Sequence, residues 1–149
     1  MKNVRGFTLI ELMVTLAVLA IVLSLAVPSF NTLIQNNRMT TRANDMATAL
    51  HLARSEAIKR GTAVTVTAVG GNWNNGWVVA TGGTDLRVFP AVAGTVSITG
   101  SATTITYRGS GMAAALTINV CDTGRTGETG RQITVAAAGR TSMANFVCD

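Results

Sequence analysis

Histidine, cysteine and lysine are nearly missing from this chain of 149 residues, which holds one histidine, two cysteines and 12 Lys plus Arg that are almost all arginine. The lone histidine, His51, follows Leu50 and precedes Leu52 and Ala53, with no acid three or four residues away. It reads as a packing or surface residue rather than a catalytic base. A zinc site would need more ligands than one histidine and two distant cysteines supply. Gly124-x-x-Gly127-x-x-Gly130 has neither the spacing nor the strand-to-helix setting of a nucleotide loop, so it reads as a flexible surface loop. The residues therefore point to no catalytic group, no metal and no cofactor.

Charge is also scarce where the hydrophobic sequence is densest. Lys2 and Arg5 stand at the start, and Glu11 is then the only charged residue before Arg38. From Phe7 to Val27 the apolar run suffices, at about 1.5 Å per residue, to cross roughly 30 Å of hydrocarbon. The preceding cations place the N-terminus in the cytoplasm. Glu11 is the anomaly. A carboxylate this deep costs at least about 2.5 kcal/mol and marks a functional site that needs a partner. An ordinary secretory signal would end in a small-residue cleavage site, which Ala26-Val27-Pro28 fits poorly. An ordinary single-pass anchor gives no reason for Glu11.

Gly6-Phe7-Thr8-Leu9-Ile10-Glu11, after two cations and before an unbroken apolar run, resembles the processing site of type IV pilins and of the pseudopilins of type II secretion. The resemblance implies that a prepilin peptidase cuts between Gly6 and Phe7 and methylates the new N-terminus. The location it implies is the inner membrane, single-pass, with the head in the periplasm. Glu11 would then meet the amine on Phe7 of a neighbouring subunit. That amine is the one cation available at this depth, and a buried carboxylate requires one.

Downstream, Pro28 closes the greasy run, and residues 29–61 read as an amphipathic continuation of the helix. Ala43, Met46, Ala47, Leu50, Ala53, Ala57 and Ile58 recur at three- and four-residue steps, forming one apolar stripe. Lys59-Arg60-Gly61 is a stop signal, with cations in the last turn and glycine after it. From Thr62 the period becomes two. Strands are expected over 62–69, 77–80, 86–89, 95–99, 103–107, 116–121, 131–137 and at the end of the chain. A type I′ turn is expected at Asn75-Gly76. Trp73 and Trp77 read as core or clasp residues rather than a base-stacking platform. The fold class is α+β: a long N-terminal helix packed on an antiparallel β-sandwich head. The expected divisions are a leader (1–6), a membrane or filament-core helix (7–28), its amphipathic half (29–61) and the head (62–149).

Four landmarks narrow the resemblance to the GspH/FimT group of minor pilins and pseudopilins. They are Ala53-Arg54-Ser55-Glu56-Ala57, Trp73-x-x-Gly76-Trp77, the strand from Ile105 into the glycine turn at Gly111, and Cys121 through Ile133-Thr134-Val135 to Gly139-Arg140. Cys121 and Cys148 can pair in an oxidising periplasm, closing a loop that contributes very roughly 3–4 kcal/mol; two buried free thiols are the alternative. Arg125, Arg131 and Arg140 sit on or beside glycine turns, where guanidinium groups could contact DNA phosphates. DNA-binding FimT proteins carry a C-terminal Gly-Arg-x-Arg motif, of which Gly139-Arg140-Thr141-Ser142 keeps only the first arginine. Ordinary solvated arginines are the other reading. The resemblance implies a minor pilin of the type IV pilus, or alternatively a GspH-type pseudopilin of type II secretion. Prepilin peptidase, other pilins or pseudopilins, the inner membrane and, on the DNA reading, DNA are the expected partners.

Overall fold

The computed structural model describes residues 6–125 and 127–148, and the side chains of residues 27–29 are not among those described. The leader cations Lys2 and Arg5 lie outside the described residues. The chain divides into two compact units, Met1–Asn36 and Asn37–Asp149, with one helix, α1 (Leu9–Arg60), contributing to both.

In the first unit α1 is apolar on every side. Leu9, Ile10, Leu12, Met13, Leu16, Leu19, Leu23 and Leu25 are all exposed, and an 18-residue window reaches a mean hydropathy of 2.6 with none of it buried. Such a surface is stable only in lipid or against other helices.

In the second unit α1 becomes one-sided. Met39, Ala43, Met46, Ala49, Leu50, Ala53 and Ala57 are buried in the head core. Four of these are alanines, which lets the helix backbone approach the sheets closely. The expected stripe shifts slightly: Ala47 is half-buried and Ile58 is 53% exposed, whereas Met39 and Ala49 join the core. Gly61, at φ +65°, ends the helix.

Among the described residues eight antiparallel strands follow: β1 (Val64–Ala68), β2 (Trp77–Thr81), β3 (Thr84–Phe89), β4 (Val96–Gly100), β5 (Thr104–Tyr107), β6 (Leu116–Asp122), β7 (Thr129–Val135) and β8 (Thr141–Val147). They form two four-stranded sheets of order β3-β2-β1-β5 and β4-β6-β7-β8. Alternate residues of β1 and β6 face the shared core, with Val64, Val66, Leu116, Ile118 and Val120 inside.

Two local expectations are corrected. Asn75-Gly76 is not a type I′ turn, which needs positive φ at both central residues; among the described residues no non-glycine has positive φ. The β1–β2 connection runs from Val69 to Gly76 and contains a 3-10 turn, Trp73–Asn75. Burial of Trp73, held by a hydrogen bond from its indole N–H to the Ala102 carbonyl at 2.9 Å, takes precedence over the local turn preference. The β2–β3 hairpin instead turns on Gly82-Gly83, both at positive φ. Gly130, expected in a loop, lies in β7 and is buried.

Candidate functional site

At its start, α1 is fixed by its own sequence. Thr8 precedes the first helical residue; its hydroxyl oxygen accepts from the Glu11 N–H at 3.2 Å, and its carbonyl accepts from Leu12 at 3.2 Å. Thr8 is thus the N-cap, and Thr8-x-x-Glu11 has the spacing of a capping box. Gly6 and Phe7 remain outside the helix and exposed. Glu11 is exposed one helical turn into a surface of Leu9, Ile10, Leu12 and Met13, so nothing in that surface offers it a cation. The Thr–Glu spacing was present in the sequence as a cap signal and was masked by its second meaning as a processing motif.

In the head, the landmark residues converge on two clasps. Arg54 reaches from α1 to two glycine turns, its Nε donating to the Gly111 carbonyl and its Nη2 to the Ala138 carbonyl, each at 3.2 Å. Gly139, at φ +73°, packs against Gly111 so closely that a Cβ would collide with the Gly111 carbonyl oxygen. Gly109 likewise lies against Gly61, where a Cβ would stand 2.5 Å from the carbonyl carbon. Glu56 pairs with Arg60 at 2.7 Å and Lys59 at 3.8 Å. At the other clasp, Asn74 joins the sheets: its Oδ1 accepts from the Ile98 N–H at 2.6 Å, and its carbonyl accepts from Val92 at 2.8 Å. Trp77 stacks on Phe89 with ring centroids 5.3 Å apart, and the Arg87 guanidinium lies 4.7 Å above the Phe89 ring. Asn74 carried no signal of its own, since asparagine in an Asn-Gly-rich stretch reads only as a turn former.

Cys121 and Cys148 form a disulfide with Cα atoms 5.9 Å apart. It crosses the face of β7 at Gly130, where a Cβ would meet both sulfurs and stand 2.6 Å from the Val120 carbonyl oxygen. The absence of a side chain at position 130 is what lets the bridge pass.

The three arginines are not gathered in one place. Arg125 pairs with the buried Asp122 at 2.9 Å and with Glu128 at 3.2 Å. Arg131 lies in β7 and hydrogen-bonds Asn145. Arg140 is exposed in the β7–β8 turn. Arg125 precedes one end of β7 and Arg140 follows the other; seven residues at about 3.3 Å each separate them by roughly 20 Å. Strand length decides this, and closeness in sequence does not reveal it.

Burial by itself would raise the Asp122 carboxyl, but hydrogen bonds from Thr95, the Gly124 N–H and Arg125 outweigh it and hold the group below the usual carboxylate range. A depressed folded-state pKa means stability that is complete above the unfolded value of about 3.9 and is lost as pH falls through the folded one. The urea midpoint of the head is expected to be level above about pH 5 and to fall below about pH 4. In Asp122→Asn the acid-side fall should be shallower; an unchanged profile would exclude Asp122 as its source.

His51 is exposed on α1, and among the described residues no three His, Cys, Asp or Glu side chains are gathered to hold a metal.

A long helix with a bare apolar start, carrying an antiparallel two-sheet head closed by a C-terminal disulfide, defines the pilin class of subunit. Residues 42–139 match the family described as Type II transport protein GspH, and residues 1–27 match the prokaryotic N-terminal methylation motif. The chain belongs to the GspH family. No curated protein matches it in sequence. Among solved structures it is similar to the type IV minor pilin FimU of Pseudomonas aeruginosa PAO1 in two crystal forms. In space group P21 the TM-score is 0.64 at 24% identity, covering 73% of this chain and 90% of that one. In P65 the TM-score is 0.59 at 24% identity, covering 70% and 91%. That likeness is one of fold.

Proposed function

We propose that this protein is a minor pilin made as a prepilin, cut between Gly6 and Phe7, methylated on Phe7 and incorporated into a type IV pilus, as a tip or priming subunit. The observation that carries the reading is the exposed apolar surface at the start of α1, from Leu9 to Leu25, in which Glu11 is the one charged residue. In a filament core or a membrane this carboxylate needs a cation, and the new Phe7 amine supplies one within a turn of it. Glu11→Ala is expected to reduce recovery of the protein in sheared filaments by at least about tenfold, the equivalent of ~1.4 kcal/mol, while processing and head folding continue. Normal incorporation of Glu11→Ala would remove the pairing. The alternative, a GspH-type pseudopilin of type II secretion, is favoured by the description of the matched family. Rescue of a pilus-assembly mutant or of a secretion mutant separates the two. Contact with DNA draws little support from the head, because Arg125 is held by two acids and Arg131 by Asn145.

A further inference from the structure

The two sheets have four outer edges, and three of them are closed. β3 carries Asp85 and Arg87, pairs with β2 through a register shift and is followed by Pro90. β5 has only four residues and ends in the Tyr107–Ala113 bridge, with the Arg108 N–H donating to the Met112 carbonyl at 2.8 Å. β4 is covered by Asn74, which accepts from the outward-pointing Ile98 N–H at 2.6 Å. These are the usual means of protecting an edge: charge, irregularity, brevity and cover.

β8 has none of them. It is seven residues, Thr-Ser-Met-Ala-Asn-Phe-Val, without a charge, proline or glycine, and most of it is exposed. The bonds from Cys148 N–H to Glu128 and from Ala136 N–H to Arg140 set the phase of its ladder with β7. Bonded pairs alternate in an antiparallel ladder. The backbone groups of Ser142, Ala144 and Phe146 therefore face β7, and those of Thr141, Met143, Asn145 and Val147 face away from the sheet. Beside this edge an open groove of about 470 Å³ is lined by Thr40, Asn44, Arg131, Met143, Ala144 and Asn145.

We infer that β8 is an assembly edge, to which a different pilin-type subunit adds an extended strand with its side chains in the groove beside α1. This rests on the minor-pilin reading and names the surface through which it acts. A second copy of this chain is a poor occupant for two reasons. Its other three edges are closed, so it has no second strand to offer. Pairing β8 with the same strand of a second copy would bring a second Arg131 and Arg140 to the seam with no carboxylate in β8 to meet them. The flanking charge specifies the partner further. Arg140 is exposed directly before β8, and Arg131 lines the groove bonded to the neutral Asn145, so the added strand carries carboxylates facing these two cations.

Proline at position 143 removes an outward N–H and no bond to β7, so it blocks strand addition while sparing the head. The test compares the full chain in detergent micelles with the same chain in sheared filaments, by amide hydrogen exchange. Met143 and Asn145 are expected to exchange about a hundredfold more slowly, or slower still, in the filament. Met143→Pro is expected to keep its thermal midpoint and disulfide yet be lost from filaments. Met143→Lys, an edge charge that leaves the backbone free, should do the same if the proline variant fails to fold. Equal exchange in both states, with the protein present in filaments, overturns the edge and leaves the pilin reading standing. Absence of the wild-type chain from filaments overturns both. A copy-to-copy crosslink through Met143→Cys overturns the choice of partner.

Discussion

Replacing Gly130 by alanine is expected to lower the thermal midpoint of the head by on the order of 10 °C or more and to leave a fraction of the chains with free thiols. The added methyl would lie where the Cys121–Cys148 sulfurs pass over β7, and 2.6 Å from the Val120 carbonyl oxygen. β7 is an inner strand, held between β6 and β8 by a full ladder on each side, so it cannot yield to the methyl. Overpacking alone costs about 1–3 kcal/mol. If the bridge fails to close, about 2–5 kcal/mol more is lost, as is typical when a small secreted domain loses a native disulfide. Thermal melts with thiol titration under oxidising and reducing conditions check this. The variant should lose much of its deficit relative to wild type once both are reduced, because the bridge is then absent from each. An alanine variant that melts and oxidises like wild type would show that the sulfurs have another path.

Gly139→Ala should have the second large effect. The residue sits at φ +73°, where an L side chain costs about 1–2 kcal/mol, and its Cβ would collide with the Gly111 carbonyl oxygen. With overpacking of about 1–3 kcal/mol, the expected loss is about 2–5 kcal/mol, read from the urea midpoint. Arg54→Ala acts on the same clasp, because it removes the donors to Gly111 and Ala138. Each abandoned carbonyl costs about 1–3 kcal/mol if it stays dry. The double variant should therefore lose less than the sum of the singles, since both changes open one junction. Strict additivity would mean that Arg54 and the Gly139 turn are independent.

These two positions show where sequence patterns lead and where they stop. The Arg54, Gly111 and Gly139 landmarks were visible as motifs, but nothing in their spacing reveals that one guanidinium links the two turns. Gly130 looked like part of a glycine loop, since Gly124, Gly127 and Gly130 recur every three residues. Its place in an inner strand depends on the pairing of Gly130 with Phe146 and of the next residue, Arg131, with Val120, at sequence separations that a local pattern does not encode. The Asn75-Gly76 turn failed for a related reason. A local preference of that kind is small beside the burial of Trp73, whose ring and indole N–H both find places in the head.

The sequence by itself determined the long helix, its change from uniformly apolar to one-sided, the position of Glu11 and the run of short strands, and it named the one pair of cysteines that could form a disulfide. Each of these is carried by periodicity, by a stop signal or by the small number of residues that could serve. Only the tertiary structure decided that the three arginines stand apart, that Arg125 is held by Asp122 and Glu128, and that three sheet edges are closed while β8 is open. Those properties arise between strands. Hydrophobic alternation tells a strand which face to bury, but it carries no record of which neighbour lies beside it or whether there is one.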